Sequence, residues 1–166
     1  MKTLHFLLLL LLLSGCSYFK VPLQHEYPSK PLYGYSDKSV EEVWKRLINV
    51  ITDEGLDLKF IDKTSGFVLS DDLSIVDQVT IEDKNGKIIN PGAFVVSEKN
   101  NLDYRLFIPD HATAKWSVVI REAEGGRTAI KIALSAIHVK DNPPKVLLYK
   151  AHSLGNFENW LFEEIK

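Results

Sequence analysis

This chain predicts an α+β fold: a curved antiparallel sheet with two helices packed on one face. Three observations carry that expectation. Val40, Val43, Trp44, Leu47, Ile48 and Ile51 recur at helical spacing. Two long segments, 114–122 and 127–139, alternate apolar and polar residues and meet across Glu124-Gly125-Gly126. Leu154, Phe157, Trp160, Leu161 and Ile165 then form a second helical stripe at the end of the chain. Strands joined by short turns are antiparallel. Such a sheet can bury one face under helices and leave the other wet.

The chain opens with Lys2 and an apolar run from Leu4 to Leu13. The run is shorter than the ~20 residues a spanning helix needs, and its layout is that of a secretory signal. Leu13-Ser14-Gly15-Cys16 resembles the lipobox of bacterial lipoproteins. The resemblance implies cleavage between Gly15 and Cys16, with the Cys16 thiol and the new amino terminus both acylated, palmitate among the chains. Several acyl chains hold a protein firmly, where one gives only marginal anchoring. Ser17 stands where an aspartate is associated with inner-membrane retention, so the resemblance points to the outer membrane.

Residues 1–15 are therefore expected as a signal peptide, 16–35 as an extended tether and 36–166 as one domain. Pro22, Pro28, Pro31 and Gly34 oppose a helix in the tether. Tyr18 and Phe19 suit the headgroup level of a bilayer, and Tyr33 and Tyr35 are expected to pack on the domain edge. Ser39 and Glu42 form a capping box that opens the first helix. Glu41 with Lys45 and Glu42 with Arg46 are spaced as pairs on its outer face. Gly55 closes that helix.

Leu56, Leu58 and Phe60 alternate with polar residues, and a turn at Lys63-Thr64-Ser65-Gly66 leads into Phe67-Val68-Leu69. The pair reads as a hairpin. Residues 72–101 read as an irregular insertion, with a turn at Asp83-Lys84-Asn85-Gly86 and a short strand at Phe94-Val95-Val96. Val146 to Tyr149 is expected as a further short strand, and the last helix is expected from Ser153, with Glu158 off its apolar face.

Composition narrows the function classes. The chain carries 20 basic and 22 acidic residues, a net charge of −2, and loss of Lys2 with the leader makes it more acidic. Neither nucleic acid nor an anionic surface is favoured as an electrostatic partner. Cys16 is the single cysteine. Acylated, it leaves the domain without disulfides, thiol nucleophiles or cysteine-ligated metals. The roughly 150 residues after the leader suffice for one core.

Three stretches have a family likeness. Val43-Trp44-x-x-Leu47, Gly55-Leu56-x-Leu58 and Asp62-x-x-Ser65-Gly66-x-Val68 resemble the repeated domains of BamC (NlpB)-type outer-membrane lipoproteins. Ser153-Leu154-Gly155-Asn156-Phe157-Glu158-x-x-Leu161 resembles their final helix entry. The likeness covers 43–68 and 153–165 and leaves out the insertion. It implies a helix-grip-like domain and a non-enzymatic, accessory role in envelope assembly. This chain has room for one such domain, where the family typically carries two.

Catalytic and metal chemistry finds little support. His25, His111, His138 and His152 lack ligand spacing and are expected at exposed or edge positions. Asp62, Asp71 and Asp72 fit solvated turns better than a cation site. No nucleophile elbow or phosphate loop is present. No catalytic residue, metal or cofactor is expected beyond the covalent lipid on Cys16.

Phe162 projects off the last helical stripe and is a candidate partner contact. Its competing fate is packing beneath Pro143-Pro144. The expected role is a lipid-anchored, non-enzymatic interaction module of an outer-membrane complex, facing the periplasm. It would meet envelope proteins through its exposed sheet face or the insertion. The alternative is a periplasmic carrier or sensor holding a small amphiphile or lipid between helix and sheet. The discriminator is whether the space among Trp44, Phe60, Trp116 and Trp160 is filled.

Overall fold

The computed structural model describes residues 20–100, 109–141 and 147–166. Gly15 and Cys16 lie outside them, as do Tyr18, Phe19 and Pro143-Pro144. Among the described residues the strands are β1 (Lys20–Val21), β2 (Leu32–Ser36), β3 (Leu58–Asp62), β4 (Phe67–Ser70), β5 (Leu73–Ser74), β6 (Val79–Thr80), β7 (Val95–Ser97), β8 (Lys99–Asn100), β9 (His111–Glu122), β10 (Thr128–Asp141), β11 (Leu147–Tyr149) and β12 (Ala151–Ser153). The helices are α1 (Val40–Asp53) and α2 (Asn156–Ile165).

The fold is α+β, as its periodicity predicts. The main sheet has the order β11-β10-β9-β4-β3, with β2 also on β10 and β5 also on β9. Its spine is the long hairpin of β9 and β10, paired from Thr128 with Glu122 to Lys140 with His111. Both helices lie on one face: α1 packs on β9, α2 on β10, and the two touch. Val68, Trp116, Val118, Ile130 and Ile132 point inward to meet Val43, Leu47, Phe157 and Leu161. Alternation along β9 and β10 puts every second residue into that layer, which is why these strands were readable as strands.

The capping box of α1 forms as expected: Glu42 N–H donates to Ser39 Oγ (3.2 Å) and Ser39 N–H to Glu42 Oε2 (3.1 Å). The outer-face pairs differ from expectation. Glu41 instead meets Lys63 across the turn (2.7 Å), and Arg46 donates to the Lys166 carbonyl (3.0 Å). Long charged side chains reach neighbouring elements here as easily as the next helical turn.

Four further expectations are corrected. The segment 20–35 is extended but not a free tether. Leu32–Ser36 is a strand of the main sheet, paired with residues 128–132 of β10, so the sheet begins before Ser36. Phe60 does not point inward. Leu58 opposes the buried Ser70, but Lys59 is an extra residue, so Phe60 opposes Leu69 on the outer face.

Residues 151–153 form a strand on β7 rather than the start of the helix, which begins at Asn156 after Gly155. Glu158 is buried rather than outward, at 2% exposure. The physical reason is a gap in the sheet edge. Along β10, β2 reaches Ile132 and β11 begins at Val139. Leu134 N–H lies in that gap and donates to Glu158 Oε1 (3.1 Å), while the Ser153 hydroxyl donates to the same carboxylate (2.9 Å). An unpaired buried N–H is costly, and the carboxylate satisfies it.

The insertion is built of short pieces, as expected. The turn at Asp83–Gly86 closes on a single bridge between Glu82 and Ile88. The strands β6 and β7 pair in parallel, β7 pairs with β12, and β1 pairs with β8.

Candidate functional site

The outer face of the main sheet carries no helix among the described residues. Its residues follow from register. Tyr33, Lys131, Val119 and Phe67 form one row across β2, β10, β9 and β4. Tyr35, Ala129 and Arg121 form the next row, and Ala133, Ser117, Leu69 and Phe60 flank the first on its other side. Tyr33 is 68% exposed, Tyr35 58% and Phe60 50%. The Arg127 guanidinium lies 4.7 Å from the Tyr35 ring centre and Lys131 Nζ 5.4 Å from that of Tyr33. The cations thus brace the rings from one side and leave them presented to solvent. A shallow groove of about 190 Å³ runs between Tyr33, Tyr35, Arg121 and Lys131. Phe60 and Phe67 extend the aromatic surface, 6.0 Å apart between ring centres.

A second feature sits at the other end of the spine. Glu82, in the insertion, is 3% exposed and fastens the N-terminal segment. Its carboxylate accepts from Gln24 N–H (2.5 Å), His25 N–H (3.2 Å) and the Tyr27 hydroxyl (2.7 Å), and lies 3.0 Å from His25 Nδ1. Lys99 Nζ donates to the Glu82 carbonyl (2.5 Å). Burial pushes the Glu82 carboxyl upward, but the donors from Gln24, Tyr27 and His25 outweigh it and hold the group below the usual carboxylate range. Burial, with the carboxylate beside it, pushes the Tyr27 phenol up to about 12. Ser29 Oγ accepts from Ser153 N–H (3.1 Å), which ties the same segment to β12. These contacts make a polar clasp.

The centre of the inner face is filled. Trp116 and Phe157 are fully buried with ring centres 6.2 Å apart, and Trp44 and Leu47 close over the sheet. Trp160 borders an open groove with Leu56, Leu73, Phe94 and Phe157, about 480 Å³ in volume. Phe60 belongs to the opposite face. Phe162, the expected partner contact, is half-buried and lies on Gly34 of β2. A side chain at position 34 would sit 2.3 Å from its ring, so the absence of a Cβ there makes the seat.

Of the titratable candidates, His25 and His152 border one hollow with Glu26, Tyr27, Glu98 and Lys150, and the others are dispersed. His111 and His138 are exposed, and His25 belongs to the clasp. Burial, then nearby Lys150, lowers the His152 imidazole. Asp71 and Asp72 face Lys115 Nζ at 3.8 and 3.3 Å. Asp62 accepts from Ser65 and Thr64 in its turn, which holds it low. Among the described residues no three metal-ligating side chains converge.

Sequence reasoning missed the clasp; it expected Tyr33 and Tyr35 at the domain edge, and they lie on β2, which pairs only with β10. A signal for the tyrosines existed: Leu32-Tyr33-Gly34-Tyr35-Ser36 alternates as a strand does. For Glu82 the signal was a carboxylate directly after Val79-Thr80-Ile81. No protein-family model matches the sequence, and a search of curated proteins finds no match. The likeness to BamC-type lipoproteins rests on the short motifs alone.

Proposed function

We propose that this chain is a lipid-anchored, non-enzymatic interaction module of the bacterial envelope, held through Cys16 at the outer membrane and facing the periplasm. The observation that carries the interaction role is the open sheet face with Tyr33, Tyr35, Phe60 and Phe67 on it. Exposed aromatic side chains with arginine beside them are the composition that interface centres favour. The leader and the Leu13–Cys16 motif supply the location. An amphiphile carrier would need room between helices and sheet; the centre of that space is taken by Trp44, Trp116 and Phe157, and the open groove beside Trp160 lies at its margin.

The test joins anchor and face. Cells expressing the chain are fed an alkyne palmitate, and the tagged protein is isolated with its envelope partners. The wild type takes up label and stays with the membrane, and Cys16→Ser does neither. Tyr33→Ala with Tyr35→Ala keeps the label but loses the co-purifying envelope proteins. An unlabelled wild type would remove the anchor, and undiminished recovery with the double variant would remove the face.

A further inference from the structure

We propose that the clasp end of the domain is its membrane-facing surface, seated on the lipid headgroups of the membrane that holds the anchor. The inference rests on acylation of Cys16 and adds an orientation to it.

Four residue-steps separate Cys16 from Lys20. Whatever path they take, they span at most ~14 Å. The interfacial layer of a leaflet is itself about 5–7 Å deep, and the acylated cysteine lies at that level. Lys20 therefore stands within several ångströms of the headgroups. A free segment from Cys16 to Ser36 would reach up to ~70 Å. The clasp removes that freedom. Lys20–Val21 pairs with Lys99–Asn100, Gln24, His25 and Tyr27 converge on Glu82, and Ser29 meets Ser153.

The surface so placed includes Lys20, Pro22, Lys84 and the half-buried Leu23. Val21 and Lys84 border the same hollow, so the lysine lies beside the point where the chain leaves for the anchor. Exposed lysines flanking an apolar stretch suit a headgroup layer. The far end of the molecule follows from the spine. Residues 122–128 close the hairpin at one end, while His111 and Lys140 lie at the other, next to β11 and β12. At ~3.3 Å per residue these ends are about 35 Å apart. Tyr33 and Tyr35 pair with Lys131 and Ala129, near the hairpin tip. The clasp thus presents the aromatic face away from lipid, where a periplasmic protein can reach it.

The test uses the full acylated chain in vesicles of phosphatidylethanolamine and phosphatidylglycerol that carry a headgroup quencher. Acylation blocks the Cys16 thiol, so Lys84→Cys and Glu124→Cys each offer one labelling position. The fluorophore at 84 is expected to be quenched several-fold more than that at 124. Inserting a roughly 20-residue Gly/Ser segment between Phe19 and Lys20 adds about 25 Å of reach and leaves the clasp intact. It should bring quenching at 84 down to that at 124. Equal quenching at both positions in the uninserted chain would overturn the proposal, as would quenching at 84 that the insertion leaves unchanged. Failure of the anchor itself is separately visible, because an unacylated chain lacks the acyl mass and does not float with the vesicles.

Discussion

The helix-covered sheet and the N-terminal segment with its clasp are held by different forces. Around Trp116 the chain is fixed by apolar burial, spread over Val43, Leu47, Val118, Ile132 and Phe157. Each contact is small, and the layer is strong because it is continuous. Residues 20–29 are fixed mainly by hydrogen bonds that converge on one carboxylate. A distributed core loses stability in proportion to what is removed. A convergent clasp loses its central bonds with a single side chain, keeping the β1–β8 pairing and the Ser29–Ser153 bond, and takes little of the core with it.

The comparison breaks most severely at Trp116. Trp116→Ala should cost about 3–5 kcal/mol and lower the denaturant midpoint of the whole domain. Glu158→Ala comes next, because Leu134 N–H and the Ser153 hydroxyl lose their acceptor inside the core. A loss of about 2–3 kcal/mol should appear in the same global transition.

Glu82→Ala should cost about 2 kcal/mol but locally. Amide exchange should quicken at Gln24 and His25, while residues 116–134 keep their protection. Acid should imitate that variant in the wild type. Glu82 sits below its usual range in the folded protein, so the folded state favours the carboxylate. The clasp is therefore complete above the ordinary glutamate value near ~4.3 and weakens as pH falls through the lowered one. Protease cutting within 20–31, followed from pH 7 downward, should rise before near-ultraviolet circular dichroism is lost. The smallest effect belongs to Tyr35→Ala, which leaves the core untouched and should shift stability by about 0.5 kcal/mol or less.

The same contrast explains what could be read from sequence. Apolar spacing is local, so α1, the β9–β10 hairpin and α2 were legible from their stripes. The cap at Ser39 was legible for the same reason, since its partner is three residues away. Glu82 and Gln24 are 58 positions apart, and no periodicity links them. Glu158 was misplaced because helical geometry alone cannot reveal a gap in a distant strand edge. Phe60 was misplaced by a single bulged residue, Lys59. The outer face followed as a class from an antiparallel sheet with helices on one side. Its membership by Tyr33 and Tyr35 required the pairing of β2 with β10.

The interaction role of the open face is tested most directly by photo-crosslinking in intact cells. A photoreactive amino acid replaces Tyr35 in one strain and Lys45, exposed on α1, in another. A discrete protein adduct from position 35, absent from position 45, is the expected result. The same adducts from both positions, or none from position 35, would contradict it.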